Sequence, residues 1–488
     1  MISTRQPVPP RTEKNGTDKI GTDKPGADRN PLPATASFSS KKEAPSLHAL
    51  ATLWADQHRD RYIFMEGAQW WRYEGGCWAY SSVERVQASV QKFLTRLSAI
   101  SPKVAVTPAS VRGVLFLAQS LLGPHPLSDF DSNADWIGLR NGVYDTATGK
   151  LLPHSPENRL THQSPFCYDP AATCPRWESF LAETLLDTAG ATSTEWTQMI
   201  QEWYGYCSVP DVSAQAAMFW VGEGANGKGA ATRVLENLVG TEFCTAIPID
   251  QLNDPYYRAE LYGKLVGFVD EPDPRAMQKN GSYFKRITGG DALDARRPTE
   301  RVFKFRPTCR LVVSCNDLPS TRDVSRGYFR RIMLIEWRYN VPEEKRDRRL
   351  DDVLQGEMPG IFNWAMAGLS CWKERGRRFN IPVESSRLLS EYKLSEDTLT
   401  RFLSEECQDD LFAEVLPGDL YAAYVQWCKA SGEHPHSMAV VGRQLGKKPE
   451  YTRRVKRAGT RTIRYWEGLS LLGGSLTLPF PTDDSGED

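Results

Sequence analysis

The order of apolar and polar positions predicts several compact units along the chain. In residues 62–80, YIFMEGAQWWRYEGGCWAY, apolar and polar side chains alternate around a Gly-Gly pair, which predicts a β-hairpin. A helix should follow, capped by Ser81 with Glu84 three residues later and carrying an apolar stripe at helical spacing. Residues 177–206 have a second helical pattern. The N-terminal part should therefore mix helices and strands.

Beyond these units, apolar strands and helices alternate up to about Trp372. The stretch from Phe219 to Leu238, FWVGEGANGKGAATRVLENL, is typical of a strand, a glycine-rich turn and a helix. Such alternation predicts an α/β nucleotide-binding domain. After about Thr398, short helices and a basic hairpin turning near Ala458 predict a small separate domain.

Six segments follow from these patterns. The first is rich in Pro, Gly, Ser, Lys and Asp, and we expect it to be disordered because it has little apolar surface to bury. The segments are a tail at 1–45, an α+β domain at 46–130, a hairpin-rich connecting domain at 131–210, an α/β nucleotide-binding domain at 211–378, a C-terminal domain at 390–473 and an acidic tail at 474–488.

Chain length, net charge and cysteine spacing limit the classes of protein to which this chain can belong. A chain of 488 residues is too long for one core, and its net charge of −1 gives no overall basic surface for nucleic acid. No apolar run approaches the roughly 20 residues that cross a bilayer, so we expect a cytoplasmic protein without a membrane partner. Ten cysteines lack C-x-x-C or zinc spacing, which favours scattered reduced thiols.

The glycine-rich turn has the spacing of a phosphate-binding loop, with Gly222, Gly227 and Lys228 at the expected positions. Backbone N–H groups and the helix N-terminus would surround a phosphate, and Lys228, on an exposed loop, would bind its β and γ positions. A chance glycine cluster is the alternative. The proposed ATP-binding residues are Gly222, Glu223, Gly224, Ala225, Asn226, Gly227, Lys228, Gly229 and Ala230.

Two later strands end in polar side chains suited to the same chemistry. LVGFVDEP ends in Asp270, a candidate Mg²⁺ ligand, and Glu271, which could orient the attacking water. RLVVSCNDLP places Asn316 where an amide could sense the γ-phosphate. Solvated acidic and Asn turns are the alternatives. Arg330 and Arg331 directly precede the apolar strand IMLIEW, where either could reach a neighbouring subunit's ATP as an arginine finger.

The ordered set GEGANGKG, LVGFVDE, FKRITGGD, LVVSCNDLP and FRRIMLIEW resembles superfamily 3 helicases, and most closely the phage, plasmid and poxvirus primase-helicase branch. The segments IGLRNGVYD and CPRWESFL resemble the domain preceding the ATPase in that branch. The similarity covers about residues 131–472. It implies an AAA+-like P-loop ATPase core in a multidomain α/β protein, with an α+β N-terminal region and a C-terminal winged-helix domain. It further implies ATP and Mg²⁺ as cofactors and a hexameric ring moving 3′-to-5′ on single-stranded DNA.

Gly229 departs from the usual motif, in which a Ser or Thr hydroxyl helps to hold Mg²⁺. Glycine is not foreign to phage members of the branch, so inactivity does not follow. Without the hydroxyl, the metal would rely on phosphate oxygens, water and Asp270, and Thr232 could contribute only through water. We expect a working site with an altered metal shell.

Two basic clusters are candidate DNA-binding surfaces. In the first, cations surround a turn at Pro298-Thr299-Glu300, where the resemblance implies a hairpin in the ring's channel; a solvated ribbon is the alternative. In the second, a helix capped by Ser437 and a basic hairpin favour a winged helix, which could instead dock protein. The candidate residues are Arg296, Arg297, Arg301, Lys304, Arg453, Arg454, Lys456 and Arg457.

The leading hypothesis is an ATP-dependent replicative helicase of a phage, prophage or plasmid in a bacterial host, acting on origin or fork DNA. An initiator or regulator that uses ATP only to assemble is one alternative. A bifunctional primase-helicase is another alternative. A primase centre needs clustered carboxylates, and the only nearby candidates are Asp129, Asp131 and Asp135, in a loop. We therefore expect no primase centre, and an N-terminal adaptor for a separate primase or for DNA.

Overall fold

The computed structural model describes residues 44–298, 301–321, 323–458 and 461–472. Nearly all of the predicted N-terminal tail, the acidic tail and parts of both predicted basic turns lie outside these ranges. The described residues form two compact units, one with residues 44–72 and Tyr80–Pro126, the other with Tyr73–Ala79 and the described residues from Leu127 to Leu472. None of the helices within the described ranges is long and apolar enough to cross a membrane.

The N-terminal elements have a core built around buried tryptophans, with Trp54 edge-on to Trp70 at 6.1 Å. The predicted hairpin is confirmed, but the helix cap is Ser82, whose hydroxyl accepts the Arg85 N–H, because Ser81 still belongs to the preceding strand. The elements are α1 Leu47–His58, β1 Tyr62–Met65, β2 Gln69–Glu74, β3 Cys77–Ser81, α2 Val83–Ile100 and α3 Pro108–Leu121.

The second unit begins with a three-stranded antiparallel sheet and two helices. Turns at Asn141-Gly142 and Thr148-Gly149 connect its strands. The helical pattern of residues 177–206 is two helices, because the Asp187 carboxylate accepts the N–H groups of Ala189 and Ala191 and forms a turn between them. The elements are β4 Trp136–Leu139, β5 Gly142–Asp145, β6 Lys150–Leu152, α4 Pro175–Thr184 and α5 Thr194–Cys207.

A five-stranded parallel sheet forms the centre of this unit, in the order β13-β7-β12-β9-β8. Its strands are apolar on both faces, as a parallel sheet covered on both sides requires, so that Met218 and Phe219 enter different cores. The elements are β7 Ala217–Val221, α6 Lys228–Val239, β8 Cys244–Ala246, α7 Pro255–Ala259, β9 Val266–Asp270, α8 Ala276–Gly289, β10 Leu293–Ala295, β11 Phe303–Phe305, β12 Arg310–Cys315, α9 Arg326–Phe329 and β13 Ile332–Glu336.

Helices close the core, and a small α/β region completes the described chain. In that region an antiparallel sheet of order β14-β16-β15 packs on three helices through Trp466 and Leu445. The predicted helix followed by a hairpin is confirmed here. The elements are α10 Leu350–Gly356, α11 Met358–Glu374, α12 Val383–Glu396, α13 Thr398–Glu406, β14 Cys407–Val415, α14 Pro417–Ala430, α15 Met438–Leu445, β15 Thr452–Ala458 and β16 Arg461–Leu471.

Candidate functional site

The glycine-rich loop between β7 and α6 has a backbone that only glycine accommodates at two positions. Gly222 has φ +150°, and a Cβ there would lie 2.3 Å from the carbonyl oxygen of Trp337. Gly227 has φ +98° and precedes the first residue of α6. The buried Asn226 side chain donates to the same Trp337 carbonyl at 3.0 Å. The loop is therefore fixed against the segment that follows β13.

Lys228 is the first residue of α6, and its side chain is buried within the loop. Its residue exposure is 8%, so the expectation of an exposed position is wrong. The Nζ group donates to the carbonyl oxygens of Gly222 and Glu223. Burial lowers the pKa of the Lys228 ammonium, while the Glu271 carboxylate opposes this shift. The loop thus encloses a cation whose hydrogen bonds are to backbone oxygens.

The two acids lie where β9 ends. Glu271 has the left-handed φ of +41°, and its N–H donates to the Ser314 carbonyl at 2.8 Å. A non-glycine residue in this region costs roughly 1–3 kcal/mol, which the surrounding contacts must offset. Desolvation by the surrounding protein raises the pKa of the Asp270 carboxyl, and the negative charge of Glu271 raises it further. The acidic pair is therefore held in a specific, strained geometry.

Sheet order brings the separate motifs to one edge. Since β12 lies between β7 and β9 and all three run parallel, the phosphate loop, the acids and Asn316 all follow the carboxyl ends of adjacent strands. A cleft of about 530 Å³ opens there, lined by Gly224–Ala230, Glu271 and Asn316. This volume falls in the range of small-molecule sites, about 300–1,000 Å³.

Two further segments, which the sequence analysis did not assign to the site, also line the cleft. Helix α4 contributes Arg176, Phe180 and Glu183, and the segment between β13 and α10 contributes Val341, Arg346, Asp347 and Leu350. The glycine-rich loop lines one part of the cleft, and apolar side chains such as Phe180, Val341 and Leu350 line another. The apolar pattern of α4 shows that it packs against protein, but no local signal pairs it with a loop more than forty residues away in sequence.

Arg330 and Arg331 directly precede β13. They therefore lie near the amino ends of the parallel strands, whereas the glycine-rich loop follows a carboxyl end. Arg330 is exposed and donates to the Gln215 side chain, whereas Arg331 is 8% exposed and donates to the Gly327 carbonyl. Ile332 pairs with Ala217, so the length of β7 separates both arginines from their own phosphate loop. Five residues at about 3.3 Å each give a distance of roughly 16 Å.

Strands β10 and β11 form the antiparallel ribbon expected between the acids and Asn316. Arg297 lies over the Tyr262 ring at 5.2 Å and over the Phe303 ring at 5.4 Å, so its guanidinium packs at the end of the ribbon where β11 begins. Arg301 and Lys304 are exposed, and neither has an ion-pair partner within the described residues. The candidate cations therefore differ in how accessible they are.

The basic hairpin β15–β16 divides its cations between two faces. Lys456 pairs with Glu414 and Arg454 pairs with Glu467, which neutralises one face. Arg453 and Arg457 alternate with them on the other face; both are exposed, and no acidic partner occurs for either in the described part of the chain. Two of the four candidates on this hairpin, Arg454 and Lys456, are thus engaged within the fold.

Comparisons with known proteins give matches to two separate parts of the chain. A family described as "D5 N terminal like" matches residues 51–186, and a family of unknown function matches residues 220–331. "Putative helicase 121R" of Invertebrate iridescent virus 3 is 23% identical over 375 residues, covering 65% of this chain and 38% of the relative. "Putative primase C962R" of African swine fever virus (strain Badajoz 1971 Vero-adapted) is 21% identical over 351 residues, covering 66% of this chain and 36% of the relative.

These matches support membership of a primase-helicase family. The fold is similar to the apo C-terminal region (305–718) of NrS-1, with a TM-score of 0.50 and 12% identity over 87% of this chain and all of that one. The chain spans little more than a third of the length of the two curated relatives. The helicase and primase activities in the names of those relatives therefore describe those proteins.

The three acids proposed as candidates for a primase centre each bind a different partner. Asp129 pairs with Arg159 at 2.8 Å, and Asp131 accepts the Thr161 N–H at 2.8 Å. Asp135 pairs with Lys373, whose hydrogen bond lowers the pKa of that carboxyl. Within the described residues, no group of three or more His, Cys, Asp or Glu side chains is arranged to hold a metal ion.

Proposed function

We propose that this chain is the motor of an ATP-dependent replicative DNA helicase of superfamily 3. It would form a hexameric ring around single-stranded DNA and move 3′-to-5′ at a replication origin or fork. The motifs favour a phage, prophage or plasmid replicon, and the relatives compared above belong to large DNA viruses. The ATPase core would be residues 211–378, AAA+-like, with a winged-helix domain at 390–473.

One observation carries the proposal: a phosphate loop, an acidic pair and a polar amide meet at one edge of a parallel sheet around a cleft large enough for a nucleotide. The loop offers backbone N–H groups, Lys228 and the N-terminus of α6, which suit a polyphosphate. Asp270, the last residue of β9 and the neighbour of the cleft-lining Glu271, would supply a carboxylate to Mg²⁺, an ion that binds through one or two carboxylates together with substrate phosphates. The residues therefore fit MgATP.

Each side chain has a distinct proposed task. Lys228 binds the β- and γ-phosphates once they replace its backbone acceptors, and Glu271 orients the attacking water. Asn316 contacts the γ-phosphate from the neighbouring strand. Bound Mg²⁺ would neutralise charge on the phosphate oxygens. Arg330 would act on the ATP of an adjacent subunit, because the sheet separates it from its own loop.

The Lys228→Ala variant tests the site. We expect ATP binding and turnover to be abolished, since the variant removes the principal phosphate cation. Because Lys228 also bonds the loop backbone, thermal unfolding should be followed by circular dichroism alongside equilibrium ATP binding and phosphate release. Normal hydrolysis by a folded variant would show that the phosphate loop is misassigned.

The ribbon β10–β11 gives a test of DNA binding. We expect Arg301→Ala/Lys304→Ala to weaken single-stranded DNA binding, because both cations are exposed. The slope of log affinity against log salt should become shallower by about 0.7 for each phosphate that these cations no longer neutralise. Fluorescence anisotropy at several salt concentrations measures both. Lys92→Ala/Arg112→Ala removes the same charge from exposed helix positions and serves as the control. Equal effects of the two pairs would contradict a specific role for the ribbon.

Two alternative functions can be distinguished from the proposed one. An initiator or regulator would bind ATP without sustained hydrolysis or unwinding, so turnover on forked DNA separates it from a motor. A primase centre would need clustered carboxylates, whereas Asp129, Asp131 and Asp135 are each engaged by separate partners. Mass measurement with and without ATP and a single strand tests the ring, and strand displacement from 3′- and 5′-tailed duplexes tests the direction.

A further inference from the structure

Gly229 occupies the position where phosphate loops ordinarily carry a hydroxyl, and a specific side chain approaches it. A Cβ built on Gly229 would have one close neighbour, Nη1 of Arg233, at 3.3 Å. The two residues are four apart on α6, and helical side chains lean toward the N-terminus, so Arg233 covers the turn that begins at Gly229. The guanidinium therefore fills the direction in which a residue-229 side chain would point.

Arg233 also lines the nucleotide cleft, together with Lys228, Glu271 and Asn316. Its Nε pairs with Asp351 of α10 at 2.9 Å, and both side chains are about half exposed. This bond orients the guanidinium from the side away from the loop, while Nη1 is the atom nearest Gly229. The arrangement presents a cation to the cleft and holds it in place from outside.

The cleft also contains carboxylates that a cation could balance. Glu271 lines it together with Arg233, and Asp270 directly precedes Glu271 at the end of β9. A permanent positive charge here would partly balance these carboxylates and attract phosphate oxygens.

We propose that Arg233 binds the nucleotide's polyphosphate beside Gly229, in place of the contact that the missing hydroxyl would make through the metal. The inference rests on the proposed ATP site. Arginine is always charged, and its planar donors match phosphate oxygens better than an ammonium does. Because this contact is direct, ATP affinity should depend less on Mg²⁺ than it would in a loop that carries the hydroxyl.

The test is equilibrium binding of ATP, ADP and AMP to the full chain, in Mg²⁺ and in EDTA, by competition with a fluorescent ATP analogue. We expect Arg233→Gln to weaken ATP and ADP binding about 10- to 100-fold, most clearly in EDTA, since it removes a charged hydrogen bond. AMP binding should change much less. Arg233→Lys should restore part of the loss, because it keeps the charge without the planar donors.

Asp351→Asn is the matched control, because it removes the ion pair of Arg233 but leaves its charge in the cleft. We expect it to retain most ATP affinity. If it loses as much as Arg233→Gln, or if AMP binding falls equally, Arg233 only joins α6 to α10 and the proposal is wrong.

Gly229→Ser gives an independent readout. Its side chain must displace Nη1 and supplies the usual hydroxyl, so affinity in EDTA should fall while affinity in Mg²⁺ is kept or rises. An unchanged ratio of the two affinities would overturn the proposal. If Arg233→Gln binds ATP normally while Lys228→Ala does not, this inference fails alone. If Lys228→Ala also binds normally, the proposed ATP site fails with it.

Discussion

Replacing Glu271 with glutamine is expected to preserve ATP binding and to slow hydrolysis by about 10²–10⁴-fold, the usual contribution of a general base. The amide keeps the size and shape of the carboxylate but cannot accept a proton from water. The backbone bond from Glu271 N–H to Ser314 is unaffected by the change, so the strained turn should persist. Single-turnover hydrolysis with prebound ATP measures the chemical step directly.

Asp273→Asn is the matched control for this prediction. Asp273 lies in the same acidic turn, and its carboxylate accepts the Arg275 N–H at 2.7 Å, a local bond that asparagine can also make. We expect near-normal hydrolysis from this variant. If Glu271→Gln instead loses ATP affinity and hydrolyses normally at saturation, Glu271 is a structural residue of the turn. Equal slowing by both variants would indicate a general effect of lost charge.

The parts of the site that were predictable from the sequence follow from local patterns and one topological rule. A strand, a glycine-rich turn and a helix are contiguous, so β7 and α6 could be predicted from residues 219–238. Polar residues after buried parallel strands share a sheet edge, which places Asn316 and Glu271 in one cleft. Neither inference needs knowledge of contacts between distant segments.

What the sequence could not predict depends on such distant contacts. Helix α4 reaches the cleft through Phe180, although it lies before β7 in a separate predicted domain. Glu414 and Glu467 neutralise Lys456 and Arg454, so counting cations overstated the charge of that hairpin. The burial of Lys228 follows from its bonds to loop carbonyls, which residue type alone does not reveal.

Arg330→Ala is expected to leave nucleotide binding intact and to reduce hydrolysis by about 10³–10⁵-fold, the contribution of an arginine finger supplied in trans. The γ-phosphate region gains negative charge in the transition state, and an exposed guanidinium from the neighbouring subunit can stabilise it. Arg330 is exposed at the sheet edge opposite its own phosphate loop, which is the placement that action on another subunit requires.

Arg331 is the alternative finger, and its surroundings indicate a structural role. It is buried and donates to the Gly327 carbonyl, and burial lowers the pKa of its guanidinium. Removing it would leave the Gly327 carbonyl without this donor, whereas both arginines donate to the Gln215 side chain. We therefore expect Arg331→Ala to lower the thermal unfolding temperature, and Arg330→Ala to leave it nearly unchanged. The reverse result would exchange the two assignments.

Subunit mixing separates a finger in trans from a residue that acts within its own chain. Arg330→Ala and Lys228→Ala subunits should each be inactive alone, but a mixed ring contains interfaces with an intact Lys228 on one subunit and an intact Arg330 on the next. Partial ATPase activity should therefore return on mixing, in proportion to such interfaces. Because each variant lacks a different half of the site, recovery requires that the halves come from different chains. A mixture that stays inactive despite co-assembly verified by mass would place Arg330 outside the neighbouring ATP site.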